Sequence, residues 1–426
     1  MKRCHEDSKE STENTEQKRK AEAMSGFVPP PHHLENFDYC CPTQAVFGTG
    51  TIGRLGKLVP EGKRVMVTYG GGSIKRNGVY DKVKAQLGER IVAEFGGIEP
   101  NPDYDTLMKA VAVLKEAKAD FLLAVGGGSV VDGTKFIALA AAWTKTADPY
   151  DILREYAQKG NKEYEPHAYC PLAAIVTLPA TGTEMNDGGV VSCRRLHEKT
   201  GVSHPSVYPV FSILDPETTY TLPRKQIANG LADSFVHVME QYAGHYDMGR
   251  VQDEEAEGLL RALVDVAPDA LNVEQPCYKA RADYFWAATQ GLNYLIACGV
   301  RQCWATHMIG HELTAFYGLD HGVTLAIVMP RLLTLLAEQR QQKLARMAER
   351  VWHIPRDGKS DLEMTTLCIA RIEAFFQSLG IATTLSGNGC DASHIKEIAA
   401  KFRGRKLGAE QTISEKEVEE ILTKSL

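Results

Sequence analysis

Five side chains in two short segments have the types and spacing to hold a metal ion. In Trp304–Leu325, WATHMIGHELTAFYGLDHGVTL, three histidines crowd together: His307, His311 and His321. Upstream, NGLADSFVHVMEQ sets Asp233 and His237 four residues apart. Residues four apart share one face of a helix, so each segment can aim two side chains at one point. A carboxylate with several neutral imidazoles suits a borderline divalent cation, Fe(II) or Zn(II). Taken singly, each histidine reads as a hydrogen-bonded structural residue, and Asp233 could equally cap a helix over Ser234–Gln241. The joint pattern outweighs those readings, because four apolar-flanked polar groups are costly to bury without a shared partner. Spacing leaves open which of His307, His311 and His321 bind. Three ligands plus one relay histidine fit as well as four ligands. His204, His245, His353 and His394 have no such pattern.

A second group of residues has the makings of a phosphate cradle. Gly126-Gly127-Gly128-Ser129 follows an apolar run and precedes Val130-Val131-Asp132-Gly133. Glycines let backbone amides approach phosphate oxygens, and the following helix start adds a favourable dipole. The spacing is not the GxGxxG dinucleotide fingerprint. One such loop could be a plain strand-to-helix turn, but a second, Gly70-Gly71-Gly72-Ser73, and the segment TLPATGTE favour a bound nucleotide. Where a carboxylate would bind a ribose 2′-hydroxyl and repel a 2′-phosphate, the chain has that glycine loop, then Lys75 and Arg76. Amides, a hydroxyl and cations suit the extra phosphate, so NADP(H) is expected over NAD(H).

These loops need a rigid sheet behind them. Apolar runs at Val65–Tyr69, Phe121–Val125, Ala173–Pro179 and Phe211–Leu214 alternate with helical patterns. This predicts a mostly parallel, Rossmann-like α/β sheet covered on both faces. Beyond Thr221 the strand pattern stops. Ile369, Ile372, Phe376 and Leu379 have helical spacing ending at Gly380, and Ser414 with Glu417 forms a capping box. The expected organisation is a tail over residues 1–36, an α/β nucleotide-binding domain over 37–220 and an all-helical metal-binding domain over 221–426. Residues 1 to about 24, rich in Lys, Glu, Ser and Thr with no aromatic, are predicted to be disordered.

Composition narrows the partners. The net charge of −6 gives no reason to expect nucleic-acid or anionic-membrane binding. No apolar run approaches the ~20 residues of a membrane helix. Ten scattered cysteines without a Cys-x-x-Cys pair, and no secretory signal, suit reduced thiols in a soluble cytoplasmic protein.

The motifs GGGSVVDGTK, TLPATGTE, LADSFVHVMEQ and HMIGHELTAFYGLDHG, in this order, closely resemble the iron-containing (group III) alcohol dehydrogenases over nearly all of residues 40–426. FGGIEPNP and YGGGSIKRNG resemble its NADPH-dependent aldehyde reductase and butanol dehydrogenase branch. The resemblance implies that Asp233, His237, His307 and His321 bind the metal, with His311 beside the nicotinamide. It implies pyrophosphate at Gly127, Gly128 and Ser129, and the 2′-phosphate at Gly71 and Ser73. Thr177, Leu178, Thr181 and Asn186 would line the ribose and nicotinamide, with Lys199 on the nicotinamide-side ribose. Thr183 stands where many members have Ser. A homodimer is also implied.

The expected activity is reversible NADPH-linked reduction of a small aldehyde to a primary alcohol, with metal polarisation and a proton relayed through His311. A lyase of the dehydroquinate-synthase type needs several cations beside the metal, where the metal-bearing segments offer Arg301 and little else. A non-catalytic nucleotide sensor is disfavoured by the intact Asp-His-His-His set. The aromatics Tyr284, Trp286, Trp304 and Phe316 could be core or pocket lining.

Overall fold

Uninterrupted apolar runs such as FLLAV and LAAIV can form strands only if both faces of the sheet are covered, and that is how they are used. The computed structural model describes residues 32–157, 167–244 and 246–426. Most of the expected disordered tail lies outside these residues. Its described end, residues 32–36, is held where the Glu35 N–H donates to the Gly299 carbonyl at 2.9 Å.

The strands are β1 (Gln44–Phe47), β2 (Val65–Tyr69), β3 (Ile91–Phe95), β4 (Phe121–Gly127), β5 (Leu172–Leu178), β6 (Gly188–Cys193), β7 (Glu198–Ser203) and β8 (Phe211–Leu214). Six form one sheet in the order β1-β8-β5-β4-β2-β3, every neighbouring pair parallel. Leu122 and Ala124 pack on one face, Leu123 and Val125 on the other, each within its own buried cluster. The four strands read from the sequence are present. β1, β3 and the antiparallel β6–β7 hairpin are additions to that reading. Because β3 lies outside β2 while β4 returns to its other side, the loops after β2 and β4 flank the switch point of the sheet. Ligands of open α/β sheets bind there.

Helices α1 (Tyr104–Glu116) and α2 (Gly128–Ala142) cover one face. Past Leu214 the described residues form no further strand, only an isolated bridge between Leu407 and Ile413, and the α-helices are α3 (Arg224–Tyr242), α4 (Arg250–Ala270), α5 (Tyr278–Gly291), α6 (Ala305–Tyr317), α7 (His321–Leu335), α8 (Ala337–Arg350), α9 (Asp361–Ser378), a short helix at Ile395–Ala400 and α10 (Glu415–Thr423). They enclose a separate core. The Ser414–Glu417 capping box starts α10, and a second, Ser360–Glu363, starts α9.

One buried cation shapes the segment after β5. Lys135 on α2 donates to the carbonyls of Thr183 (2.6 Å), Asn186 (2.8 Å) and Gly188 (2.6 Å), and to Thr183 Oγ1 (2.8 Å). Burial pulls its ammonium down to about 8, against the attraction of Asp132, Asp187 and Glu184. Replacing it strands several buried acceptors at once, each worth about 1–3 kcal/mol. Lys135→Met is therefore expected to lower stability by ~3 kcal/mol, read as an earlier urea midpoint. An unchanged midpoint would show that those carbonyls find other donors.

Candidate metal and coenzyme centre

α3 presents Asp233, His237 and Glu240 on one face, one turn apart, deep inside the helical half. Asp233 lies mid-helix, since α3 begins at Arg224, so it does not cap a helix starting at Ser234. Its Oδ1 faces three imidazole Nε2 atoms: His237 at 3.5 Å, His307 at 3.5 Å and His321 at 3.4 Å. His237 is on α3, His307 on α6, and His321 is the first residue of α7. Gly322 permits this approach, because a Cβ there would stand 2.5 Å from the Asn229 carbonyl of α3. The His237 and His307 rings stack 4.6 Å apart, and Trp304 forms a wall 5.3 Å from His307.

The chemistry of this cluster calls for a cation. Asp233 Oδ1 and His307 Nε2 are buried without a hydrogen-bond partner. Such orphaned atoms carry a desolvation cost that a shared metal removes. Burial holds His237 down to about 4 and His321 well below its ordinary value, leaving neutral imidazoles with available lone pairs. Burial also lowers His307, but Glu240 and Asp233 outweigh it and push that imidazole up to about 9. The two carboxylates thus draw positive charge to the point where the imidazoles converge. The residues fit a divalent metal.

His311, one turn beyond His307 on α6, stands at the edge of the cluster. Its ring centroid is 6.2 Å from that of His307 and 5.4 Å from that of His321. Lys199 on β7 belongs to the same electrostatic environment. Burial pulls it down to about 8, opposed by Asp233, Asp132 and Glu312. Arg301, the one arginine noted near the metal segments, is paired with Glu35 at 3.2 Å.

The glycine loops form the other half. α2 begins at Gly128 directly after β4, with no side chain capping its N-terminus. Its free amides are available to an anion. A Cβ on Gly128 would lie 2.5 Å from the Thr181 side chain, and one on Gly127 would lie 3.2 Å from Leu178. Gly127, Gly128, Ser129, Leu178 and Thr181 therefore meet at one place, with Thr177 at the end of the same strand. These residues fit a dinucleotide. Asn186 is committed within the loop: its amide donates to the carbonyls of Gly182 (3.1 Å) and Leu292 (2.9 Å), and its Oδ1 accepts from Gly188 N–H (2.9 Å). What it gives the pocket is the loop's shape.

At the outer loop, Gly71 and Ser73 are exposed beside β2. A carboxylate does stand close by, Glu94 on the neighbouring strand β3. It is held by Lys75 at 2.9 Å, by the Tyr80 hydroxyl and by Tyr69, so its charge is already matched. Lys75 also lies over the rings of Tyr69 and Tyr80.

Several functional contacts were not visible from spacing. Glu240, three residues after His237, accepts from the His307 ring, and an acid on that face of α3 was the available signal. Asp132 accepts from Val190 N–H at 2.9 Å and so ties the hairpin to α2. Of the four aromatics, Tyr284 is fully buried, its hydroxyl donating to Pro179 O. Trp304 borders the metal cluster, Trp286 is exposed, and Phe316 packs against the helical core.

Residues 42–216 match the iron-containing alcohol dehydrogenase family, and residues 227–426 match the C-terminal domain of the Fe-containing alcohol dehydrogenase family. The chain is 48% identical to the NADPH-dependent aldehyde reductase YqhD of Escherichia coli over 87% of its own length and 93% of that protein. It is 42% identical to NADP-dependent alcohol dehydrogenase 3 of Entamoeba histolytica, covering 91% and 98% of the two chains. A crystal structure of E. coli YqhD superposes with a TM-score of 0.87 at 45% identity, over 92% of this chain and all of that one. With both halves matched and the cluster and cradle in place, this chain belongs to the iron-containing alcohol dehydrogenase family.

Proposed function

We propose that this protein is an NADP(H)-linked, metal-dependent aldehyde reductase that runs reversibly as a dehydrogenase of small primary alcohols. One observation carries the reading: a two-residue step, Ala180–Thr181, touches both halves of the centre. Thr181 packs against Gly128 at the phosphate cradle, while Ala180 O accepts from Ser234 Oγ at 3.1 Å, next to the Asp233 carboxylate. A nicotinamide held along that loop would lie near the imidazole cluster. The two named relatives carry NADPH or NADP in their names, consistent with the preference read from the outer loop.

Asp233, His237, His307 and His321 would hold the metal, with His321 the most open of the four at 26% side-chain exposure. When bound, the cation contributes Lewis-acid polarisation of a carbonyl, and the reduced nicotinamide contributes the hydride. Gly127, Gly128 and Ser129 would present backbone amides to the pyrophosphate, Gly71 and Ser73 would meet the 2′-phosphate, and Lys199 would meet the nicotinamide-side ribose. Thr177, Leu178 and Thr181 would line the ribose and nicotinamide, with Asn186 holding their loop. His311 is neutral, because burial and then Lys199 and the other imidazoles keep its protonation well below the ordinary range. From the edge of the cluster it can pass a proton between water and the nascent alcohol oxygen. A phosphorylated-acid lyase would need additional cations here, and Arg301 is already engaged by Glu35.

We further propose a cytoplasmic homodimer. β1 is an edge strand whose Phe47, with Trp286 against it at 5.8 Å, exposes aromatic surface, and Phe37 and Tyr39 are exposed in the segment that precedes it. Pairing between copies would cover both. The nine cysteines among the described residues are free thiols, as suits a reducing compartment.

Two variants test the reading. His321→Ala should lose bound metal and reduce aldehyde turnover by at least ~100-fold, while NADPH fluorescence still reports binding. Turnover by a metal-free His321→Ala protein would contradict it. Lys75→Ala uncovers the Glu94 charge beside the 2′-phosphate loop. It should raise KM for NADPH about tenfold, roughly 1.4 kcal/mol, with little change for NADH. Equal effects on both coenzymes would place the 2′-phosphate elsewhere.

A further inference from the structure

We infer that Glu240 is a positioning residue for the metal centre: it fixes the tautomer of His307 and anchors the start of the helix that carries it. The inference rests on the reading of Asp233, His237, His307 and His321 as metal ligands, and goes beyond it to what makes one of them competent.

The Glu240 carboxylate is buried, 3% exposed, one turn past His237 on the metal-facing side of α3. Its Oε1 accepts from the Thr306 N–H at 2.6 Å, and its Oε2 accepts from the His307 N–H at 3.4 Å. These amides belong to the first turn of α6, whose N-cap residue, Trp304, makes no capping hydrogen bond to them. An α3 carboxylate therefore caps α6 from outside, where its charge also suits the helix dipole. The Glu240 carbonyl adds a bond from Cys303 N–H at 2.8 Å, so the approach to α6 is held as well.

Glu240 Oε2 also contacts His307 Nδ1. An ionised carboxylate only accepts, so Nδ1 must carry the hydrogen. When a cation takes the place of the second ring proton, the lone pair lies on Nε2, the atom 3.5 Å from Asp233 Oδ1. Among the described residues Glu240 alone bonds to Nδ1, so without it that tautomer is not selected, and a hydrogen on Nε2 would block coordination. Carboxylate-to-imidazole support of this kind orients a ligand and raises its basicity.

Glutamine is the discriminating replacement because it keeps the shape while offering one acceptor and one donor. With its oxygen in the place of Oε1 it keeps the Thr306 amide, which leaves its NH2 against the His307 N–H and Nδ1. Nδ1 must then accept, and the ring hydrogen moves to Nε2. Zinc affinity of the metal-stripped full chain, measured by competition with a chromogenic chelator, is expected to fall about 10–100-fold in Glu240→Gln. The unfolding midpoint of the metal-free protein should fall only slightly, since the shorter of the two amide contacts, to Thr306, is kept. Zinc binding by Glu240→Gln equal to wild type would overturn the inference. Failure of the wild type to bind one zinc would instead overturn the metal-site reading beneath it. If Glu240→Gln does not fold, the zinc-loaded wild type decides: a downfield Nδ1–H proton resonance assigned to His307 supports the inference. A His307 ring carrying its hydrogen on Nε2 contradicts it.

Discussion

One buried loop, Pro179–Asn186, joins the glycine cradle to the imidazole cluster and is tied by hydrogen bonds to both halves of the chain. A backbone segment placed between two cores must find partners for its polar groups, and here those partners are the elements that bear the sites. Tyr284 donates to Pro179 O, Ser234 donates to Ala180 O at 3.1 Å, and Thr289 donates to Glu184 Oε1 at 2.6 Å. Asn186 donates to Leu292 O, while Lys135 reaches in from α2. The helical half supplies four of these tethers and the α/β half supplies the buried ammonium. Close approach is part of the same design, since a Cβ on Gly230 would overlap the Tyr284 hydroxyl. The distance between cradle and imidazole cluster is therefore set by hydrogen bonds whose loss would leave buried groups unpaired.

Electrostatics gives the metal cluster its direction. Asp233 and Glu240 bracket His307 and hold positive charge there, whereas desolvation keeps His237, His311 and His321 neutral. A protein interior tolerates such an arrangement only when a cation or a proton balances the carboxylates. The same logic governs the outer loop at smaller scale. Glu94 would oppose a 2′-phosphate if it were bare, but Lys75 and two tyrosines already match it.

The sequence revealed what is periodic or compositionally unusual. The four long or strongly apolar strands, the helical second half and the Ser414 capping box all rest on local pattern, and each is present. β1 has only four residues, and β3, IVAEF, is only partly buried and carries Glu94, so neither stood out from loop. The β6–β7 hairpin is built from small residues joined by a turn through Arg194–Leu196, and its cue is equally faint. At the site, helical spacing paired Asp233 with His237 and His307 with His311, but could not choose among three histidines. Only the crossing of α3, α6 and α7 puts His321 rather than His311 at Asp233. Glu240 and Glu94 escaped notice for a shared reason: each matters through a contact with a different element.

The central claim is that the Asp233 cluster and the Gly126–Ser129 cradle form one hydride-transfer centre. Anomalous diffraction from crystals of the metal-loaded protein with NADP+ tests it most directly. The predicted result is a single metal peak bonded to Asp233 and to His237, His307 and His321, with the nicotinamide beside it along Ala180–Thr181. A metal peak away from Asp233, or a nicotinamide turned out of the cleft, would contradict it.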